Sequence, residues 1–234
     1  MCGRFTLHTP RDVLARRFDV DVSALELPER YNIAPTQPVL TVRIDATGAR
    51  AAAPMRWGLV PPWAENQKTA QSMINARVES AAKSPAYRAS FRRQRCLVLA
   101  DGFYEWQPVA GRRAKTPWWI SLASGEPFAF AGLWAEYRSQ ELFPTEPLLS
   151  CTILTAPANA LVAPIHGRMP VILRPEHEAA WIDPARDDVA ELQALLDPVP
   201  AEALAAHAVS TRVNSPRNDG PALIVAEHPP QLGF

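Results

Sequence analysis

Two short apolar runs separated by an Asp-Gly pair make up the stretch Cys96-Leu97-Val98-Leu99-Ala100-Asp101-Gly102-Phe103-Tyr104-Glu105-Trp106. Short aliphatic and aromatic runs bounded by turn residues are typical of β-strands. The sequence therefore predicts strands over 96–100 and 103–106. Similar strand signals recur at 38–44, 118–122, 128–134, 148–155, 169–173 and 206–210.

Helix signals are fewer than strand signals. Thr9-Pro10, Ser84-Pro85 and Pro175 each stand at the start of an amphipathic segment, and a fourth amphipathic stripe covers 189–196. Short strands with tight connections and few helices favour an α+β fold. We predict a single domain over residues 1–234, with a curved, mostly antiparallel, barrel-like β-sheet and peripheral helices.

The composition excludes several classes of protein. No long apolar run occurs in the first thirty residues, so we predict no signal peptide or transmembrane helix and a cytoplasmic location. The three cysteines at positions 2, 96 and 151 are widely spaced and include no C-x-x-C pair. This spacing argues against a disulfide framework or a structural zinc site. We therefore expect no metal and no cofactor.

The 24 positive and 24 negative side chains are unevenly distributed along the chain. Residues 1–117 carry 18 Lys and Arg against 10 Asp and Glu, whereas residues 118–234 carry 6 against 14. Most of the cations are Arg, which suits bidentate contact with phosphate and stacking on bases. The asymmetry is consistent with an electropositive surface that binds nucleic acid, and equally with ordinary solvated charges.

Cys2 becomes chemically distinctive if Met1 is removed. It would then carry a primary amine and a thiol on adjacent carbons. The amine can condense with an aldehyde to an imine, and the thiol can close on the imine carbon to give a thiazolidine. An α-amine titrates at about 7.7–8.0 and a thiol near about 8.5, so both groups are partly nucleophilic near neutral pH. The alternative is that Cys2 is an apolar residue packed under a sheet edge.

Three further polar residues stand in apolar contexts. Glu105 lies between Tyr104 and Trp106, where partial desolvation would raise its pKa and suit it to proton transfer. His166 stands between Ile165 and a glycine, a context suited to a general acid or base. Asn75 follows an apolar pair. An ion pair of Glu105 with an arginine, or a hydrogen bond from His166 to a loop carbonyl, would explain these residues structurally.

Seven blocks of the sequence resemble the signature blocks of the SOS-response-associated peptidase (SRAP) family, in the family's order and over nearly the whole chain. The blocks are Met1-Cys2-Gly3-Arg4-Phe5, Tyr31-Asn32-Ile33-Ala34-Pro35-Thr36, Arg56-Trp57-Gly58-Leu59-Val60-Pro61-Pro62-Trp63, Asn75-Ala76-Arg77 with Glu79, Asp101-Gly102-Phe103-Tyr104-Glu105-Trp106, Phe130-Ala131-Gly132-Leu133-Trp134 and Ile165-His166-Gly167-Arg168-Met169-Pro170.

The resemblance implies a protein that recognises abasic sites in single-stranded DNA and traps them as a thiazolidine crosslink through Cys2. It implies self-processing that removes Met1, with lyase cleavage at the abasic site as a further reaction. The catalytic residues would be Cys2, Asn75, Glu105 and His166. Arg4, Arg77 and Arg168 would be phosphate ligands, and Trp63 is the aromatic residue best suited to stack on a base. We expect a monomer that is nucleoid-associated when bound to DNA.

Two other functions fit part of the sequence. An N-terminal-nucleophile glutamine amidotransferase also exposes a cysteine after a Met-Cys-Gly start, but its Gly-rich substrate loops do not fit a chain with 10 Gly. A non-catalytic nucleic-acid-binding domain explains the Arg distribution but not the combination of Asn75, Glu105 and His166. Glutamine turnover would support the first, and DNA binding unchanged by blocking Cys2 would support the second.

Overall fold

The computed structural model describes residues 2–65, 73–111, 113–139, 143 and 145–227. The fold is built around a closed five-stranded barrel. Its strands are β3 (Pro38–Ile44), β4 (Arg50–Trp57), β6 (Arg95–Ala100), β9 (Phe128–Tyr137) and β10 (Leu148–Pro157). Around the barrel, β10 pairs with β4, β4 with β3, β3 with β6, β6 with β9 and β9 again with β10. Only the β4–β10 pair is parallel.

Two three-residue strands extend the barrel along β10. Strand β5 (Asn75–Arg77) pairs parallel to β10, with Asn75 opposite Ile153 and Arg77 opposite Thr155. Strand β11 (Arg168–Pro170) pairs antiparallel to the end of β10. Because Thr155 pairs with both, β5 and β11 lie on opposite edges of β10.

A second sheet, entirely antiparallel, packs against the barrel. Its order is β12-β8-β7-β1-β2, so β1, from the start of the chain, lies inside the sheet rather than at its edge. The strands are β1 (Phe5–Leu7), β2 (Arg30–Ile33), β7 (Gly102–Gln107), β8 (Thr116–Leu122) and β12 (Leu204–Ala208). The α+β prediction with a curved, mostly antiparallel barrel is confirmed.

The predicted strands on either side of Asp101-Gly102 form, but they belong to different sheets. β6 lies in the barrel and β7 in the second sheet, so the Asp-Gly pair carries the chain from one sheet to the other. Asp101 is buried, and its carboxylate accepts hydrogen bonds from the backbone N–H groups of His8 (2.6 Å) and Thr9 (2.9 Å) and from the hydroxyl of Thr6 (2.5 Å). Hydrogen bonds therefore hold the connection between the two sheets against the end of β1.

Five short helices surround the sheets: α1 (Arg11–Phe18), α2 (Val78–Ala81), α3 (Arg88–Arg93), α4 (Pro175–Ile182) and α5 (Val189–Ala194). Helix α1 starts one residue later than its sequence signal suggests. Pro10 is the N-cap and not the first helical residue, because the Thr9 hydroxyl bonds to Asp101 (3.0 Å) instead of capping the helix. The predicted strand over 169–173 is also wrong in length, since β11 ends at Pro170.

One contiguous cluster of buried residues joins the two sheets. Phe5 on β1 makes edge contacts with Trp57 (ring centroids 5.1 Å apart) and with Phe130 (5.7 Å), and Phe103 on β7 contacts Phe130 (6.1 Å). Burial of these rings is favourable by about 1.5–3 kcal/mol each. Trp57 is therefore a core residue, and its Nε1 donates to the Ile74 carbonyl (2.9 Å).

Gly132 on β9 is a site where any side chain would overpack the barrel. A Cβ placed there would lie 2.7 Å from Cys96 Sγ and 2.8 Å from Val98 Cγ2. We predict that Gly132→Ala lowers the free energy of unfolding by about 1–3 kcal/mol. The control is Gly167→Ala, because Gly167 is exposed and nothing lies within 4 Å of a Cβ placed there. This change should alter the free energy of unfolding by less than about 0.5 kcal/mol. Urea titration measures both variants. Equal values for the two variants would contradict the packing argument.

Candidate active site

Cys2 lies just before β1 and is buried among the residues that join the two sheets. The antiparallel register of β1 and β7 pairs Phe5 with Phe103, and the Tyr104 N–H donates to the Arg4 carbonyl (3.0 Å). This register directs the segment before Arg4 toward Glu105 on β7. The Cys2 thiol donates weakly to the Arg4 carbonyl, with an Sγ–O distance of 3.6 Å.

Asn75 is bonded directly to the backbone of Cys2. Its Nδ2 donates to the Cys2 carbonyl at 2.7 Å. Its Oδ1 is buried and has no hydrogen-bond partner within the described part of the chain. A buried acceptor without a partner costs free energy, so Oδ1 is suited to receive a donor from a bound molecule. Strand β5 supplies Asn75 because its parallel pairing with β10 holds it beside the N-terminal segment.

Glu105 is buried on β7. Burial raises the pKa of its carboxyl, while the charge of His166 acts in the opposite direction. Burial is also the main cause that raises the pKa of the Cys2 thiol, and the charge of Glu105 raises it further. Glu105 therefore lies within electrostatic range of both Cys2 and His166, and the thiol is held in its neutral form.

His166 is oriented by the backbone at the start of β11. Its Nδ1 lies 3.0 Å from the Arg168 N–H and 2.9 Å from the Arg168 carbonyl. Arg168 is itself immobilised: its guanidinium makes two parallel hydrogen bonds to Glu79 (2.9 and 3.0 Å), and its Nε donates to Thr155 Oγ1 (3.3 Å). The structure thus brings Cys2, Asn75, Glu105 and His166 into one cluster.

The four residues predicted to contact DNA differ in their surroundings. Arg77 is exposed at the end of β5, and Trp63 is 63% exposed, the more exposed of two large hydrophobic residues at the described surface. Arg4 is partly buried, and its Nη1 donates to the Val213 carbonyl (2.9 Å) and to Asn32 Oδ1 (3.3 Å). In Arg168, every guanidinium nitrogen already donates to Glu79 or Thr155.

Several residues that shape this cluster were not predicted from the sequence. Glu79 and Thr155 hold Arg168, and Trp106 Nε1 donates to Asn214 Oδ1 (2.7 Å) beside Glu105. Glu79 lies two residues beyond Arg77 in one of the quoted blocks, which is the one sequence signal that could have singled it out. Thr155 is an ordinary residue of an apolar strand, so only the fold reveals it.

Comparison with known proteins assigns the chain to a family. Residues 1–216 match the family model described as SOS response associated peptidase (SRAP). The chain belongs to the SRAP family. It is 42% identical over 226 residues to the abasic site processing protein YoqW of Bacillus subtilis (strain 168), covering 96% of this chain and 99% of that protein. It is 32% identical to the abasic site processing protein HMCES of Pongo abelii, covering 94% of this chain and 75% of HMCES.

Two solved structures share the SRAP fold described above. A protein from Bacteroides thetaiotaomicron superposes with a TM-score of 0.85 at 23% identity, covering 97% of this chain and 100% of that one. A phage-related protein from Bordetella bronchiseptica superposes with a TM-score of 0.69 at 31% identity, covering 89% of this chain and 94% of that one. The first likeness concerns the fold alone.

Two features are absent from the described residues. None of the helices found there is long and apolar enough to cross a bilayer. Within the same residues, no group of three or more His, Cys, Asp or Glu side chains is arranged to hold a metal ion.

The charge of Glu105 should be measurable at the Cys2 thiol. Glu105→Gln keeps the shape of the side chain but removes the negative charge that disfavours the thiolate, so the pKa of Cys2 should fall. It should stay above that of an exposed cysteine, because burial is the larger cause of its rise. The measurement is the pH dependence of thiolate absorbance in the ultraviolet, with the corresponding Cys2→Ser protein as the blank. A pKa that is unchanged or higher in Glu105→Gln would contradict the assigned neighbourhood.

Proposed function

We propose that this SRAP protein recognises abasic sites in single-stranded DNA and links to them covalently through Cys2, after Met1 has been removed by the protein itself. The observation that carries the proposal is the cluster around Cys2: Asn75 bonds its carbonyl, and Glu105 acts on its thiol. The family and the names of the relatives YoqW and HMCES support abasic DNA as the substrate. The protein acts as a cytoplasmic monomer that is nucleoid-associated when bound to DNA.

The first step is attack by the Cys2 amine on an aldehyde. An abasic deoxyribose in its ring-opened form carries that aldehyde at C1′, and no base has to be flipped out. The amine must be unprotonated to attack, and Glu105 accepts its proton. Because burial raises the pKa of Glu105, the carboxylate is a stronger base than an exposed one. The attack forms the C–N bond and gives a carbinolamine.

The second step needs proton transfer at oxygen atoms of the sugar. His166 is assigned to two such transfers: it protonates the ring oxygen when the sugar opens, before the amine attacks, and afterwards the carbinolamine hydroxyl that leaves as water to form the imine. Its Nδ1 contacts the Arg168 backbone, and we assign its Nε2 to the sugar oxygens. Asn75 Oδ1, buried and without a partner in the described chain, accepts a hydrogen bond from a hydroxyl of the opened sugar.

The last step closes the thiazolidine. The Cys2 sulfur adds to the imine carbon, the C=N double bond becomes single, and the thiol proton passes to the ring nitrogen. The overall reaction combines one aldehyde with the amine and thiol of Cys2 and releases one water, with no change of oxidation state. Because burial and Glu105 disfavour the thiolate, the amine reacts first and the sulfur follows.

Contacts with the DNA strand are assigned to residues around this cluster. Arg77 is the foremost phosphate ligand, since it is exposed and lies on the same face of β5 as Asn75. Trp63 stacks on a base in a sequence-tolerant way. Arg4 and Arg168 stay candidate phosphate ligands, although Arg168 would have to exchange part of its pairing with Glu79. A lyase reaction would follow from the imine, before ring closure, by β-elimination: a proton leaves C2′, the bond from C3′ to the phosphate oxygen breaks, and the downstream strand departs with a 5′-terminal phosphate.

The central prediction concerns Cys2 as the nucleophile. Intact mass should show a chain without Met1, and a heat-stable adduct should form with single-stranded DNA carrying one abasic site. Cys2→Ala should abolish the stable adduct. Cys2→Ser keeps the amine without the sulfur, so it should give an imine that borohydride traps. Denaturing electrophoresis resolves all of these products.

Undamaged DNA of the same sequence is the control and should give no adduct. Retention of Met1 on crosslinking protein would rule out the amine mechanism. A stable adduct of Cys2→Ala would move the nucleophile to another residue. DNA binding unaffected by alkylation of Cys2, without an adduct, would favour a non-catalytic binding domain.

The two proton carriers should be separable by pH. Glu105→Gln lacks the base, so its crosslinking should be slowest at low pH and recover as the rising pH deprotonates the amine directly. His166→Ala should stay slow over the same range, because free amine does not replace an acid at the sugar oxygen. Losses of about 10²–10⁴-fold are expected for general acid–base groups, and a timed crosslinking assay measures them.

One outcome of this experiment would contradict the proposed roles of Glu105 and His166. If Glu105→Gln stays equally impaired at high pH while His166→Ala recovers, the two assignments must be exchanged.

A further inference from the structure

A rigid loop near the C-terminus borders the candidate active site. This C-terminal loop, residues 211–220, is organised by the buried side chain of Asn32, whose Nδ2 donates to the carbonyls of Val213 (3.2 Å), Ser215 (3.0 Å) and Asn218 (2.8 Å). The two N–H groups of this buried amide are thus shared among three carbonyls, which fixes the path of the loop backbone.

Two contacts connect the loop to the cluster around Cys2. Arg4, two residues after Cys2, donates to the Val213 carbonyl at 2.9 Å. Trp106, the neighbour of Glu105, donates from its indole nitrogen to Asn214 at 2.7 Å. The loop therefore borders the candidate site. A DNA strand that leaves the site on this side must pass over the loop.

The outer surface of the loop is cationic. Arg212 and Arg217 are exposed and line a cavity of about 320 Å³ together with Asn218 and Asp219. The Asp219 carboxylate is already engaged by the Tyr31 N–H (2.6 Å) and by Arg30 (3.5 Å). Within the described chain, neither Arg212 nor Arg217 forms an ion pair with a carboxylate. Two uncompensated guanidinium groups thus face one concave surface.

We propose that Arg212 and Arg217 bind the phosphodiester backbone of the single strand on one side of the lesion. Guanidinium groups match phosphate oxygens in bidentate geometry. Phosphate contacts position a strand without reading its sequence, as a protein acting on scattered lesions requires. The inference rests on the proposed function and extends it, since neither arginine belongs to the residues assigned to DNA above.

The test is equilibrium binding by fluorescence anisotropy over a range of salt concentrations. The probes are single strands with a tetrahydrofuran abasic analogue, which has no aldehyde and cannot crosslink, extended only 5′ or only 3′ of the lesion. The Arg212→Ala/Arg217→Ala double variant should bind one of the two probes more weakly. For that probe, the slope of log K against log salt should become shallower by about 1.4, since each phosphate on a single strand contributes about 0.7. The other probe should bind as it does to the parent protein.

The matched control is Arg16→Ala/Arg138→Ala, which removes the same charge from exposed side chains on α1 and just after β9. It should leave both probes unchanged. If the loop variant has the same slope of log K against log salt as the parent protein for both probes, the inference is overturned. An equal loss of affinity in the control variant would also overturn it, because the effect would then reflect net charge alone. Crosslinking of the parent protein to a true abasic site is scored separately. Its failure would overturn the proposed chemistry while leaving the anisotropy result to decide on the loop.

Discussion

Hydrogen bonding along both edges of β10 is the constraint on which the rest of the structure depends. On one edge the strand pairs first with β4 and then with β5, and on the other first with β9 and then with β11. The first half of β10 closes the barrel. Its second half holds β5, which carries Asn75, and β11, which begins two residues after His166. Closing the barrel and positioning two of the four cluster residues are thus consequences of one continuous strand.

Burial of the cluster around Cys2 raises the pKa of two groups, the thiol of Cys2 and the carboxyl of Glu105. Burial and the neighbouring Glu105 keep the thiol neutral, while the same burial makes Glu105 a better proton acceptor. An exposed site could not do both, because water would stabilise the thiolate and the carboxylate alike. In the proposed reaction, a neutral thiol beside a basic carboxylate would let the nitrogen of Cys2 react before its sulfur.

Much of the fold could be predicted from the sequence, and the exceptions have physical reasons. Strand β3 matches its prediction residue for residue, because its apolar run is a strong local signal. Strand β4 was missed, since its three alanines and Pro54 have low β-propensity, and it forms through pairing with β3 and β10. β5 has three residues and exists only because β10 offers an unpaired edge, which no local pattern reveals.

The same distinction holds for the candidate site. Cys2, Asn75, Glu105 and His166 could be singled out because their residue types carry chemistry and their neighbours are apolar or aromatic. Their roles stay predictions. Among the polar residues that support the cluster, Asn32 acts through carbonyls of a segment remote in sequence. Side chains whose partners are backbone atoms leave no complementary residue to search for, so their function emerges only with the fold.

The position of β1 inside the second sheet has a consequence for the timing of events during translation. β1 cannot complete its pairing until β7, residues 102–107, has been synthesised. At about 5–20 residues per second, β7 leaves the ribosome roughly 5–20 s after β1. During that interval Cys2 has not yet been enclosed between the sheets and is open to solvent. A fusion partner placed ahead of Cys2 would be attached to a residue that the folded protein buries and that Asn75 bonds at its carbonyl, so an affinity tag belongs at the other terminus.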